Sequence, residues 1–213
     1  MYSVKEAFYS LQGEGGQAGR ASVFCRFSGC NLWSGREADR ATAACRFCDT
    51  DIRGTDGQHG GRFASADALA DHLAGLWPDA PGTATPQVIF TGGEPLLQLD
   101  AELIDAMHRR GFDVAVETNG TLPAPAGIDW LCVSPKGDAP LVQTTGDELK
   151  LVHPQADAPP SRFVDLPFRH FFLQPMDTAP LGGGDSLAQT VAYCLAHPQW
   201  RLSLQTHKIA GID

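Results

Sequence analysis

A chain of 213 residues with 43% apolar and 19% charged positions can bury one sizeable core and lacks the low hydrophobicity and high charge of a disordered segment. Its net charge of −9, from 16 Lys and Arg against 25 Asp and Glu, argues against a nucleic-acid partner, since phosphate binding needs clustered cations. The first eleven residues carry no basic segment followed by an apolar run, and no stretch is apolar for long enough to span a bilayer. The expectation is one cytoplasmic domain over 1–213, with no membrane partner and with its six cysteines as free or metal-bound thiols.

Ser22 to Ser28 reads as a strand that ends at Gly29 and delivers the chain to Cys30. The segment from Asn31 to Gly61 is polar and rich in glycine, so residues 30–61 are expected to form a loop ordered by something other than a core. Ser65 can cap a helix running to about Trp77, with Leu69, Leu73 and Leu76 at helical spacing and Pro78 as the stop. Gln87 to Phe90 is a short strand that ends in Thr91-Gly92-Gly93-Glu94-Pro95, and a helix is expected from Asp100 to Arg110.

The alternation then repeats. Strands at Val114–Val116, Trp130–Val133, Leu149–Val152, His170–Leu173 and Leu202–Leu204 each run into a polar cluster, and a helix from Ser186 to Ala196 precedes the last of them. Strands separated by helices imply an α/β fold with a mainly parallel sheet. The length is too short for eight units, so the expected architecture is a partial, open (β/α) barrel of about six strands with the chemistry at their C-terminal ends.

Cys30, Cys45 and Cys48 form a C-x14-C-x2-C pattern, whereas Cys25, Cys132 and Cys194 lie in apolar runs and read as core residues. The C-x2-C spacing alone leaves a zinc knuckle, a redox pair and an iron-sulfur cluster level. Three thiolates suit a 4Fe-4S cluster with one iron left open. Gly92 and Gly93 would let a ligand approach the backbone closely, and Glu94 could accept from an amino group.

A cysteine triad ending in C-x2-C together with a strand-terminal Gly-Gly-Glu-Pro resembles the radical S-adenosylmethionine superfamily. The long insertion between Cys30 and Cys45 narrows the likeness. With Leu11-Gln12-Gly13-Glu14-Gly15, Cys25-Arg26-Phe27, Cys48-Asp49-Thr50, Glu117-Thr118-Asn119-Gly120, Ser134-Pro135-Lys136, Gln174-Pro175-Met176-Asp177 and Gln205-Thr206-His207-Lys208, the chain resembles the 7-carboxy-7-deazaguanine synthase family from end to end. The resemblance implies radical ring contraction of 6-carboxy-5,6,7,8-tetrahydropterin with loss of ammonia, a step towards queuosine. It also implies a 4Fe-4S cluster on the three cysteines, S-adenosylmethionine, Mg²⁺, a reducing electron donor protein and a homodimer.

The same resemblance assigns Gly93, Ser134, Lys136, Gln174, Pro175, Met176 and Asp177 to S-adenosylmethionine. It assigns Leu11, Gln12, Gly13, Arg26, Thr91, Glu117, Asn119, His207 and Asp213 to the substrate, and Thr50 to Mg²⁺. Residue chemistry agrees for Arg26, a planar fork for a carboxylate, and for Lys136, a point charge for a substrate or cofactor carboxylate. Glu117, Gln12 and Asn119 offer the acceptors and donors that an aminopyrimidinone edge needs. Chemistry alone would choose Asp49 or Asp51 over Thr50 for a hard cation. Two rivals stand beside this reading: a glycyl-radical activase that acts on a partner protein, and a zinc-stabilised binding module.

Overall fold

The computed structural model describes residues 1–79, 84–177 and 184–212. Among them nine strands form one sheet: β1 Tyr2–Leu11, β2 Ala21–Phe27, β3 Gly61–Phe63, β4 Gln87–Gly92, β5 Asp113–Thr118, β6 Trp130–Val133, β7 Gly146–His153, β8 Phe168–Pro175 and β9 Arg201–Leu202. Their order is β3-β1-β2-β4-β5-β6-β7-β8-β9, so β3 and β9 are the two free ends of an open barrel. From β2 to β9 neighbouring strands run parallel, while β1 pairs antiparallel with both β2 and β3.

The sheet thus has nine strands where about six were expected; seven of them fall on segments read as strands in the sequence, and β1 and β3 are the additions. β1 hides in the sequence because its register with β2 shifts between Val4 and Glu6. That irregularity breaks the strict alternation that marks a strand. β3 contributes only three residues at the edge, paired with Tyr2 to Val4.

Helix α1, Ala66–Ala74, is capped by Ser65, whose hydroxyl accepts from the Ala68 N–H. It ends before Gly75, short of the expected Trp77 and Pro78. Helix α2, Ala101–His108, starts at an Asp100 cap, and α3, Ser186–Ala196, has the predicted bounds. A short α4, Thr206–Ala210, follows β9 and was not anticipated.

The pleat assigns the two faces of the sheet. Val88 and Phe90, Val114 and Val116, Leu131 and Val133, and Leu149 and Leu151 join the core formed with Leu69, Leu73, Leu103 and Met107 of α1 and α2. Because side chains alternate, Ile89, Ala115, Glu117, Cys132, Glu148, Lys150 and Gln174 face the concave interior. The register sets Glu117 opposite Cys132, Cys132 opposite Glu148, and Val152 opposite Gln174. Polar groups of four strands therefore converge inside the barrel.

Candidate active site

One cleft of about 1080 Å³, its open mouth included, joins the three cysteines to the strand-end motifs. β2 ends at Phe27, and Gly29 donates to Ile52 O at 2.8 Å just before Cys30. Cys45 is held by its N–H to Leu32 O at 3.4 Å, and Ile52 is buried beneath the loop. The inserted segment braces the C-x2-C turn: Arg40 Nη1 donates to Arg46 O and Cys48 O at 3.0 Å each, and its guanidinium lies 4.2 Å above the Trp33 ring.

The nearby Cys48 sulfur, with burial, pushes the Cys45 thiol well up. The Cys45 side chain in turn draws Cys48 down to about 6, against its burial and with help from Lys136. Thiolate character is what a metal ligand needs. Among the described residues no three His, Cys, Asp or Glu side chains converge as a single ion demands. A 4Fe-4S cluster takes each thiolate on a different iron, and three thiols lining one cleft are a donor set that fits it.

Gly92 and Gly93 serve the protein before they serve any ligand. A Cβ on Gly92 would stand 2.3 Å from Phe27 O, at a φ of +130°, and one on Gly93 would stand 1.8 Å from Gly29 O. Only glycine lets the end of β4 lie against the chain that carries Cys30. Gly93 N donates to Phe27 O at 3.2 Å and Glu94 N to Gly29 O at 3.0 Å.

Glu94 departs from expectation. It is fully buried, and its carboxylate accepts from Thr118 Oγ1 at 2.7 Å, Leu96 N at 2.9 Å and Asn119 N at 2.8 Å. It fastens the end of β4 to the end of β5 and does not line the cleft. Asn119 does line it, but its amide is committed as well. Its Nδ2 donates to Asn31 Oδ1 at 3.0 Å, and its Oδ1 accepts from Thr121 N and Oγ1. It ties β5 to the cluster loop, so its amide is not held ready for a ring edge.

At the other end of the cleft stand Arg26, Thr91, Glu117 and Gln174. Arg26 Nε donates to Glu6 Oε1 at 2.8 Å, which fixes the guanidinium plane. Leu11, Gln12, Gly13 and His207 line an adjoining recess that shares Arg26, Thr91 and Glu117 with the cleft. His207 rests on Gly13, where a Cβ would meet its Nδ1 at 2.2 Å. Gln12 Nε2 donates to Glu117 Oε1 at 2.7 Å.

Ser134 and Lys136, from the end of β6, bond to each other through Nζ and Oγ, and with Gly93, Pro175, Met176 and Asp177 they line the middle of the cleft. Asp177 accepts from Lys208 Nζ at 2.7 Å, which also reaches Asp49 Oδ2 at 2.8 Å. Asp51 is paired with Lys5 at 2.7 Å. Both aspartates beside Thr50 are therefore occupied by lysines. Asp213 lies outside the described residues.

Sequence reasoning missed Glu14, Lys150 and Glu148. Lys150 donates to Glu14 Oε2 at 2.5 Å and to Glu117 Oε2 at 3.0 Å while only 3% of the residue is exposed. Burial opposes ionisation of Glu14, but the Lys150 ammonium overrides it and holds the carboxyl low, at about 2. A lone lysine in the run Leu149-Lys150-Leu151 of an interior strand was the available signal.

Parallel strands in an open barrel and three thiols at its C-terminal mouth define a radical S-adenosylmethionine enzyme. Residues 39–147 match the model of the Radical SAM superfamily. The chain is 66% identical to 7-carboxy-7-deazaguanine synthase of Bordetella pertussis and 63% identical to that of Caulobacter vibrioides, each across 99% of both chains. The chain belongs to the 7-carboxy-7-deazaguanine synthase family. Among solved structures, QueE from Escherichia coli aligns with a TM-score of 0.66 at 24% identity, covering 95% of this chain and 93% of that one, which supports the fold.

Membership implies a 4Fe-4S cluster and S-adenosylmethionine as cofactors, and it sets aside the activase and zinc-module rivals. Among the described residues no helix is long and apolar enough to cross a membrane.

Proposed function

We propose that this protein, as one domain over residues 1–213, converts 6-carboxy-5,6,7,8-tetrahydropterin to 7-carboxy-7-deazaguanine with loss of ammonia, on the way to queuosine. The observation that carries the reading is a single cleft lined by the three thiols and also by Arg26, Thr91, Glu14 and Glu117, the last four shared with an adjoining recess away from the cysteines. Cluster and S-adenosylmethionine, when bound, supply the radical chemistry. The chain's own residues bind, orient and exclude water.

Arg26 takes the substrate carboxylate, and Glu117, aimed by Gln12 whose amide donates to it and accepts from Glu14 N, takes the donor edge of the aminopyrimidinone at the substrate site that Gln12 bounds. Thr91, Leu11, Gly13 and His207 bound the ring. Lys136 and Ser134 receive the methionine carboxylate, while Gly93 and Gln174 to Asp177 line the cofactor's path. Mg²⁺ is assigned to Thr50. The pairing of Asp49 with Lys208 and of Asp51 with Lys5 supports that choice, because it withdraws the flanking carboxylates.

A homodimer is supported by exposed Leu187 and Leu195 on α3 beside exposed Leu202 and Leu204 at the β9 end of the sheet. Electrons come from a reducing donor protein. Anaerobic turnover of the carboxytetrahydropterin with reductant, S-adenosylmethionine and Mg²⁺, scored by product mass and ultraviolet absorbance, tests the reaction. A cluster-loaded protein that makes no deazapurine refutes it.

A further inference from the structure

Below the ring-binding acceptors the fold buries a cation for which the reaction as drawn has no use. Lys150 sits on β7 between Leu149 and Leu151, whose side chains enter the core, so its own side chain points into the barrel. The two carboxylates it joins come from distant places, Glu14 from the turn after β1 and Glu117 from the end of β5. Neutral amides occupy the remaining oxygens. Gln174 Nε2 and Gln205 Nε2 each donate to Glu14 Oε1 at 3.1 Å, and Gln12 Nε2 donates to Glu117 Oε1.

The groups around this pair are Glu148 on β7, Cys132 on β6, Arg26 on β2 and His207 on α4. Glu148 is 3% exposed and accepts from Gly16 N at 2.6 Å, and burial pushes its carboxyl up. Several acids thus crowd one dry space. Like charges held so close force one carboxyl to take up a proton unless a cation intervenes. A protonated carboxyl offers a donor where an aminopyrimidinone, with its amine and ring N–H, needs acceptors.

We propose that Lys150 is the positioning residue of substrate recognition: its ammonium, shared between Glu14 and Glu117, keeps both as fixed anionic acceptors for the amine and ring N–H groups of the pterin. This rests on the pterin reading of the cleft. Lys150 itself needs no contact with the substrate. Its side chain is spent on the two carboxylates, and its effect reaches the ring through their charge and aim.

The test is equilibrium binding of 6-carboxypterin, a fluorescent probe with the same ring edge, to cluster-loaded protein under anaerobic conditions across the acid-to-neutral range. Lys150→Met removes the charge but keeps the chain length. It is expected to weaken binding by about tenfold or more at neutral pH and to move the acid limb of binding up by about one pH unit or more. Iron content and S-adenosylmethionine affinity stay unchanged. Lys150→Arg restores the charge and returns the acid limb towards its wild-type position.

Wild-type affinity with an unshifted acid limb in Lys150→Met overturns the proposal, as does a pH-independent loss shared equally with S-adenosylmethionine. If Lys150→Met does not fold, Lys150→Met with Glu14→Gln removes one of the two ion pairs together and leaves one carboxylate in place of two without the ammonium. In that variant Glu117 still lacks the Lys150 ammonium that aims it, so 6-carboxypterin must bind more weakly than in Glu14→Gln alone, and equal affinity of the two variants overturns the proposal. Wild-type protein that does not bind 6-carboxypterin refutes the pterin reading itself, and this inference falls with it.

Discussion

Replacing Gly93 by alanine tests whether the Gly-Gly pair seats the cluster loop. The added Cβ would stand 1.8 Å from Gly29 O, 2.4 Å from Gly29 C and 2.9 Å from Cys30 Cβ. A carbon-to-oxygen approach closer than about 3.3 Å is repulsive, so the two chains must part by about 1.5 Å. The obstructing atoms are backbone, with no flexible side chain to swing away. That parting breaks Gly93 N to Phe27 O and Glu94 N to Gly29 O, at about 2 to 4 kcal/mol for two bonds left unmade in a dry place.

For a chain of this size the loss corresponds to a melting point lower by about 5 to 15 °C. A shift of that size in Cys30 also costs the cluster one of its three thiolates. The assay is iron and sulfide per chain after anaerobic reconstitution, with thermal unfolding of the metal-free protein alongside. Gly75→Ala is the control, because its Cβ meets only carbonyl oxygens at 3.5 Å and should change stability by less than about 1 kcal/mol. Full iron content and an unchanged melting point in Gly93→Ala would refute the packing argument.

Glu94→Ala strands two backbone N–H groups and the Thr118 hydroxyl and should cost about 3 to 5 kcal/mol by denaturant unfolding, with loss of bound iron. Arg40→Ala should leave overall stability within about 1 kcal/mol because the side chain is surface-bound. It should nonetheless speed chelator removal of iron several-fold, and Arg40→Lys should not rescue it, since an ammonium cannot lie flat over Trp33 and hold Glu37 while it donates to both carbonyls. Glu14 lies at about 2 in the fold against its ordinary 4.5, so its contribution to stability is complete above pH 4.5 and lost as pH falls towards 2. Denaturant midpoints taken across that window should fall in wild type relative to Glu14→Gln, and parallel profiles would sink the claim.

How much of this was legible in sequence depends on the distance over which each feature is decided. β6, α3 and the Ser65 cap of α1 are settled within a few residues, and short apolar runs or a single hydroxyl announce them. β1 was hidden because both of its faces are covered, so that Val4 and Lys5 and then Ala7 and Phe8 are buried as neighbours, and a register shift between Val4 and Glu6 adds to the break in alternation. The cysteine triad and strand-end motifs were readable because loops at one mouth of a barrel gather the polar residues. Lys150 and Glu14 are 136 residues apart, and no local pattern records that they meet.

Motif residues also proved to do two kinds of work. Gly-Gly-Glu-Pro was read as a cradle for a ligand, yet its glycines are required first by Gly29 and Phe27, and its acid is consumed by β5. The inserted segment after Cys30 behaves likewise, since Arg40 and Trp33 turn an interruption of the cysteine spacing into the brace of the C-x2-C turn. A motif of this kind marks where the protein must fit itself as tightly as where it must fit a ligand. Substitutions in it therefore have to be judged by iron retention and stability before any loss of activity is assigned to lost substrate contact.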